Sequence, residues 1–383
     1  MAQKNILLKL LPVMLAFFVM GFVDLVGAIT NFVKEDFHLS DSVAKMLPAM
    51  TFFWFFILSV PTGLLVNRIG RRRTVVLSLV VTSLALLAPM FGYSFPAMMI
   101  SFALLGIGNT LIQVSINPLL SSLINEDRLA STMTFGQFVK AVASFLGPVV
   151  ATWASVTFGN WKLLFPVFMA VSILAALWLG MTKIDGEKAP EGGGLGFLNC
   201  IRLLGNSIIL LSFIGIACHV GIDVGINTTA PEIMKEYFGM SREEAGFASS
   251  VYFLFRLAGC LVGAFALARW SGRKFFIASV LLMAVATAGL IFFRSRELVY
   301  ACIALAGLGN ANIFPVIVSQ ALLRLPGRRN EVSGLMIMGL VGGTVFPLLM
   351  GRAADMTGTQ TGGLAILGVA VLYLLFLSSK LKK

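Results

Sequence analysis

Leu105-Gly106-Ile107-Gly108-Asn109 in the first part of the chain returns as Ala306-Gly307-Leu308-Gly309-Asn310 in the second. The same offset, about 200 residues, relates Lys34-Glu35-Asp36-Phe37 to Lys235-Glu236-Tyr237-Phe238 and, more weakly, Gly63 through Arg72 to Gly263 through Arg273. Three echoes at one spacing describe two parallel copies of a single unit. Each copy must therefore fold the same way.

Composition says what that unit is made of. Of 383 residues, 58% are apolar and only 12% charged, and the mean hydropathy is +0.93. So few charges cannot coat a water-exposed surface, which excludes an ordinary soluble enzyme. Cutting at charged and Gly/Pro clusters leaves twelve apolar stretches: 10–33, 44–66, 74–93, 96–123, 130–157, 161–181, 206–233, 243–268, 273–293, 297–323, 331–354 and 359–379. A helix needs about 20 such residues to cross roughly 30 Å of hydrocarbon, so each stretch predicts one crossing. The basic start, with Lys4 and Lys9, reads as the first crossing helix, because its apolar run continues past Leu15 without a small-residue cleavage pattern.

The expected fold is an all-α integral membrane protein, twelve transmembrane helices in two pseudo-symmetric six-helix bundles. Residues 1–181 and 206–383 form the bundles, and the polar, Gly-rich stretch 182–205 reads as a cytoplasmic linker. Parallel halves of this kind are a transporter architecture, with substrate held near the bilayer midplane. The net charge of +12 fits this topology. With the N-terminus inside, nineteen Lys and Arg fall on the inner side and eight outside, which predicts both termini in the cytoplasm and an inner-membrane location. The basic excess thus points to anionic lipid rather than nucleic acid.

Chemistry other than transport has little support. Cys200, Cys218, Cys260 and Cys302 stand singly and only two histidines occur, so neither a disulfide framework nor a metal site is expected. Neither a nucleophile elbow nor a phosphate loop appears, so the chain is not read as an enzyme and no cofactor is expected beyond a coupling ion, proton or sodium. A monomer suffices for such a carrier.

Between the second and third stretches lies Gly63-Leu64-Leu65-Val66-Asn67-Arg68-Ile69-Gly70-Arg71-Arg72-Arg73. A plain topogenic loop needs the arginines but not the two glycines at this spacing. The segment resembles the signature loop of the major facilitator superfamily, with Asn67 where an Asp is usual. The resemblance implies a gating role for Gly63, Asn67, Arg68, Gly70, Arg71 and Arg72, closing the cytoplasmic side against helix 11. Shorter matches are similar to the fucose:proton symporter family of sugar permeases: Gln113-Val114-Ser115-Ile116-Asn117-Pro118, Gly136-Gln137-Phe138, Arg256, Asn312-Ile313-Phe314-Pro315, and Val341-Gly342-Gly343 with Pro347. This chain departs from that pattern twice. The acid expected in helix 4 is Gln113, and a small amide in helix 5 is Lys140.

Polar groups within hydrocarbon are costly, at least about 2.5 kcal/mol for a charge at a helix centre, so each needs a reason. Asp24 lies twelve residues beyond Pro12, Lys140 twelve beyond Arg128, Asp223 twelve before Lys235 and Arg256 twelve beyond Glu244. At about 1.5 Å per residue this is about 18 Å, mid-membrane. Their charges cancel, predicting the buried pairs Asp24 with Lys140 and Asp223 with Arg256. Asn109, Gln113 and Asn117 share one helix face, as do His219, Asp223 and Asn227, and as do Gln137, Lys140 and Ser144.

Candidate substrate contacts are Asn109, Gln113, Asn117, Gln137, Lys140, Asn227, Asn310 and Asn312. Gln113 and Gln137 suit a neutral sugar because an amide both donates and accepts. Asn109, Asn117, Asn310 and Asn312 read equally well as helix-to-helix hydrogen-bonding groups, and His219 reads as structural. Asp24 is the candidate ion-coupling group together with Lys140, since a buried carboxyl can carry a proton whereas an adjacent ammonium favours its ionised form. The leading expectation is a proton-coupled carrier of a neutral, hexose-like sugar. An anionic sugar acid held by Lys140 and Arg256, sodium coupling, uniport and a non-transporting receptor stand as alternatives.

Overall fold

In hydrocarbon every backbone N–H and C=O must find its partner within the chain, and a helix achieves this residue by residue. The computed structural model, which describes residues 2–39, 43, 46–184 and 197–381, answers with twelve helices long and apolar enough to cross a bilayer. In chain order these are α1 (Ile6–Asp24), α2 (Met46–Ile69), α3 (Arg71–Phe91), α4 (Phe95–Leu123), α5 (Glu126–Phe158), α6 (Trp161–Met181), α7 (Ser207–Phe238), α8 (Glu244–Leu267), α9 (Gly272–Phe292), α10 (Arg296–Arg324), α11 (Pro326–Thr357) and α12 (Gln360–Ser378). The protein is an integral membrane protein. Of the expected linker, residues 185–196 lie outside the described residues, as do Lys45, Lys188, Lys382 and Lys383 of the charge count.

The ends of the helices are written in local sequence. Ser94 accepts from the Ala97 amide at the start of α4, Asn206 from Ile208 and Ile209 at the start of α7, and Ser241 forms a reciprocal capping box with Glu244 ahead of α8. Gly159, Gly239 and Gly358 end α5, α7 and α11 in the left-handed conformation that an L side chain resists. Three of the helices are interrupted. α1 passes into a 3-10 turn at Gly21–Leu25 before continuing as a helix over Val26–Asp36. α10 breaks between Asn310 and Ile313, where Pro315 lacks an N–H and crowds the carbonyl of Ala311. α11 is interrupted at Gly339–Val341.

The chain divides into two compact units. The first comprises Met1–Asn125, Gly136–Arg202 and Leu325–Met338, and the second Glu126–Phe135, Leu203–Arg324 and Gly339–Lys383. By sequence, Leu325–Met338 belongs to the second half; by packing it lies with α2 and α4. The repeated glycine motif has one structural job in both units. A Cβ on Gly106 would strike the Thr51 backbone of α2, and one on Gly307 the Tyr252 backbone of α8. Gly108 and Gly309 leave room in the same way for the Ser78–Thr82 turn of α3 and the Ser279–Met283 turn of α9. The motif therefore lets α4 and α10 each touch two neighbours at backbone distance.

At the end of the first unit remote from the basic α2–α3 junction, Asp36 accepts from Tyr93 Oη (2.6 Å) and Trp161 Nε1 (3.1 Å), while Lys162 Nζ sits 3.7 Å from the Tyr93 ring centre. Burial, together with the hydrogen bond and charge of Asp36, pushes the Tyr93 phenol above its usual range. Along the membrane helices many apolar side chains are exposed, Phe91, Trp153 and Val285 among them, as a lipid-facing wall requires.

Candidate functional site

In the first unit the 3-10 turn in α1 sets the geometry. Gly21 lets that turn close on α5, where a Cβ would fall 2.8 Å from Ala143. Asp24, three residues on, is thereby brought to α5. Lys140 Nζ lies 3.4 Å from Asp24 Oδ2, and Ser144 Oγ donates to the same oxygen at 2.6 Å. The pair is less buried than its mid-helix depth predicts: 38% of the Asp24 side chain and 19% of Lys140 remain accessible. The turn explains this, because it carries the carboxylate off the packed face of α1.

Along α4 the amides form a ladder. Asn109 Nδ2 donates to the Met20 carbonyl (2.7 Å), where α1 gives way to the 3-10 turn. Gln113 Nε2 then donates to Asn109 Oδ1 (2.6 Å), and Asn117 Nδ2 to the Gln113 carbonyl (3.0 Å). All three are buried, and Asn117 Oδ1 lacks a partner among the described residues. Gln137 is half-buried on the face of α5 that carries Lys140.

The second unit holds its acid more tightly. Arg256 Nη1 of α8 lies 3.2 Å from Asp223 Oδ2 of α7, with 28% of the arginine and 17% of the aspartate accessible, so this pair too is half-buried rather than fully buried. Tyr252 Oη donates to Asp223 Oδ1 at 2.6 Å. Asn310 Nδ2 donates to Tyr252 Oη (3.0 Å) and to Asp223 Oδ1 (3.3 Å), and its amide oxygen accepts from His219 Nδ1 at 2.8 Å. The break in α10 just after Asn310 places that amide at a helix end, where it reaches α7 and α8 together. Asn312 turns elsewhere and donates to the Gly259 carbonyl of α8 at 3.0 Å. Asn227 is half-buried one turn along α7 from Asp223, and its carbonyl accepts from Ser249 Oγ of α8 at 3.0 Å.

The signature loop meets Leu325–Met338 inside the first unit. Asn67 Nδ2 donates to Glu331 Oε1 (2.9 Å), Asn330 Nδ2 donates to Asn67 Oδ1 (2.6 Å), and Arg71 Nε donates to Asn330 Oδ1 (2.9 Å). Arg72 reaches the Thr182 carbonyl, and Arg68 is exposed. Gly63 allows the contact, because a Cβ there would come within 2.9 Å of the Asn330 carbonyl. Gly70 turns the chain between α2 and α3 at φ +92°. Glu331 is only 3% exposed and stands in the first turn of the helical segment Arg329–Met338, where the helix dipole favours a negative charge. The carboxylate absent at Asn67 is thus supplied by Glu331.

Glu331, Asn330 and Tyr252 were missed by the sequence reading. Tyr252 had a signal, standing four residues before Arg256 on one helix face. Glu331 had none, since it reads as the polar edge of an apolar run.

This arrangement can be set beside known proteins. The chain is 27% identical over 93% of its length to the glucose/galactose transporter of Brucella abortus biovar 1 (strain 9-941), covering 90% of that protein. Its fold is similar to that of the E. coli fucose:proton symporter FucP, with TM-score 0.85, 15% identity and coverage of 97% of this chain and 98% of that one. It is also similar to the proton:xylose symporter XylE, with TM-score 0.77, 16% identity and coverage of 99% and 96%. The family model described as Major Facilitator Superfamily matches residues 13–226 and 210–382. With twelve membrane helices, a glycine motif repeated in both units and the G-x-x-x-N-R-x-G-R-R loop seated against α11, the chain belongs to the Major Facilitator Superfamily.

Proposed function

We propose that this protein is a secondary transporter that moves a neutral, hexose-like sugar together with protons, and that Asp24 is the coupling group. The observation that carries the reading is the accessible carboxylate of Asp24, held by one ammonium and one hydroxyl. Ionised, Asp24 pairs with Lys140 and accepts from Ser144. Protonation cancels that attraction and releases up to three Lys140 N–H donors, which a sugar hydroxyl can take up. Loss of the proton on the other side re-forms the pair and expels the sugar. Proton uptake and sugar binding thereby favour one another through a single side chain.

The same contacts argue against the alternatives. Lys140 and Arg256 each already face a carboxylate, so neither offers net positive charge to a sugar acid. A sodium ion at Asp24 would have to displace an ammonium at 3.4 Å. The names of the relatives, a glucose/galactose transporter and two sugar:proton symporters, point the same way. The carrier works as a monomer without an organic cofactor, with both termini in the cytoplasm, as the distribution of Lys and Arg favours.

Proteoliposome uptake under an inward proton gradient tests the proposal. Asp24→Asn should abolish concentrative uptake of glucose or galactose while leaving equilibrative counterflow. Concentrative uptake by that variant would refute Asp24 as the coupling group, and equal uptake with and without the gradient in the unmodified protein would refute symport.

A further inference from the structure

We propose that the cleft at the junction of α8 and α9 is a seat for the phosphate headgroup of an anionic phospholipid. Arg269, Trp270, Ser271 and Lys274 line an open cleft of about 440 Å³ in the second unit. Arg273 adds a third cation in the same turn, and its Nε is buried without a hydrogen-bond partner among the described residues. Among the described residues no carboxylate lies within ion-pair reach of Arg269, Arg273 or Lys274. The sequence makes this inevitable nearby, for neither Asp nor Glu occurs between Glu244 and Glu297.

The corresponding junction in the first unit shows what such cations do when protein acceptors are present. There Arg71 binds Asn330 and Arg72 the Thr182 carbonyl. The α8–α9 junction has the charges without the acceptors. It also opens α9, whose first backbone N–H groups and dipole add attraction for an anion.

Two features select a lipid over free phosphate. Trp270 is 62% exposed beside the cations, and an indole so placed settles at headgroup depth. Phe265 and Val262 are also exposed on α8, four and seven residues before Arg269, and extend that face as an apolar track for an acyl chain. A phosphate ion has no use for that track.

The test uses the full-length protein in non-ionic detergent, titrated with dioleoylphosphatidylglycerol, dioleoylphosphatidylcholine or sodium phosphate. Bound lipid is counted by native mass spectrometry and stabilisation is read by thermal shift. A surface charge contributes about 1 kcal/mol toward an anionic lipid, about fivefold in affinity. Arg269→Gln/Lys274→Gln should therefore weaken phosphatidylglycerol binding by about twentyfold, and Arg294→Gln/Arg296→Gln, which removes the same charge from the other end of the unit, by less than about twofold. Should the first double variant fail to fold, Lys274→Gln alone should show about a fivefold loss, and Arg269→Lys should bind nearly as the unmodified protein does. Equal affinity for phosphatidylcholine, unchanged phosphatidylglycerol binding in the glutamine variants, or phosphate matching the lipid would each overturn the proposal.

Discussion

Each unit carries one acid and one base at mid-helix, yet the two pairs are held differently. Asp24 faces Lys140 with a single further donor, Ser144, and over a third of its side chain remains accessible. Asp223 faces Arg256 but also receives Tyr252 and Asn310, and His219 closes the network behind Asn310. A carboxylate held by an ammonium and a hydroxyl and still open to water can be altered with little disturbance of the fold. One locked by an arginine, a phenol and an amide costs much more to alter. In the proposed cycle, switching falls to the first unit and bracing to the second.

Breaking the braced pair should have the largest effect on stability. Asp223→Ala removes the carboxylate that stands 3.2 Å from the half-buried Arg256, and should cost about 2 kcal/mol, less than the 3–5 kcal/mol of a fully buried pair. Thermal unfolding in detergent reads this as a lowered midpoint, and Asp223→Asn/Arg256→Gln should recover part of it. Asp24→Ala should cost less than about 1 kcal/mol, because water already shares that pair. Equal losses in the two units would remove the distinction.

Smaller changes sharpen it. Tyr252→Phe deletes one buried hydroxyl bonded to a charge and should cost about 1.5 kcal/mol, whereas Ser144→Ala at the looser site should cost about 0.5 kcal/mol and slow proton-driven uptake. At the signature loop, Glu331→Gln keeps the hydrogen bond from Asn67 but removes its charge, for a loss of about 1 kcal/mol. Adding Asn67→Asp restores a carboxylate on the other partner and should return most of that loss in the same melt.

The smallest effect concerns Cys200, outside the membrane helices. Burial and the nearby Glu331 charge push its thiol from the usual 9.0 up to about 12. It should therefore resist maleimide at pH 8 in the folded protein and react once the protein is unfolded, as read by mass spectrometry of the peptide. The sign for stability follows from the raised value. The folded protein retains a proton that the unfolded chain releases, so this contribution is intact below pH 9 and is lost as pH rises from there toward 12.

Much of this was legible in the sequence because it depends on local pattern. Hydropathy alone delimits twelve crossings, and the depths and cancelling signs of four charged residues predict two pairs. Side-chain contacts of the other polar residues were less legible. Asn109 and Asn310 occupy the same place in the duplicated motif, but Asn109 donates to a backbone carbonyl of α1 while Asn310 joins an acid, a phenol and an imidazole. The cause lies in neighbouring helices, a 3-10 turn in α1 and a break in α10, and not in the motif.

The sequence by itself determined which segments enter the membrane, how they repeat and which polar residues lie at mid-depth, since transfer free energy and helical rise act residue by residue. Only the tertiary structure decided partners. It placed Leu325–Met338 with the first unit, found in Glu331 the acid that Asn67 lacks, and gave Asp223 three partners where Asp24 has two. Such contacts join residues as much as 264 positions apart, and their energy depends on distances that no local pattern encodes.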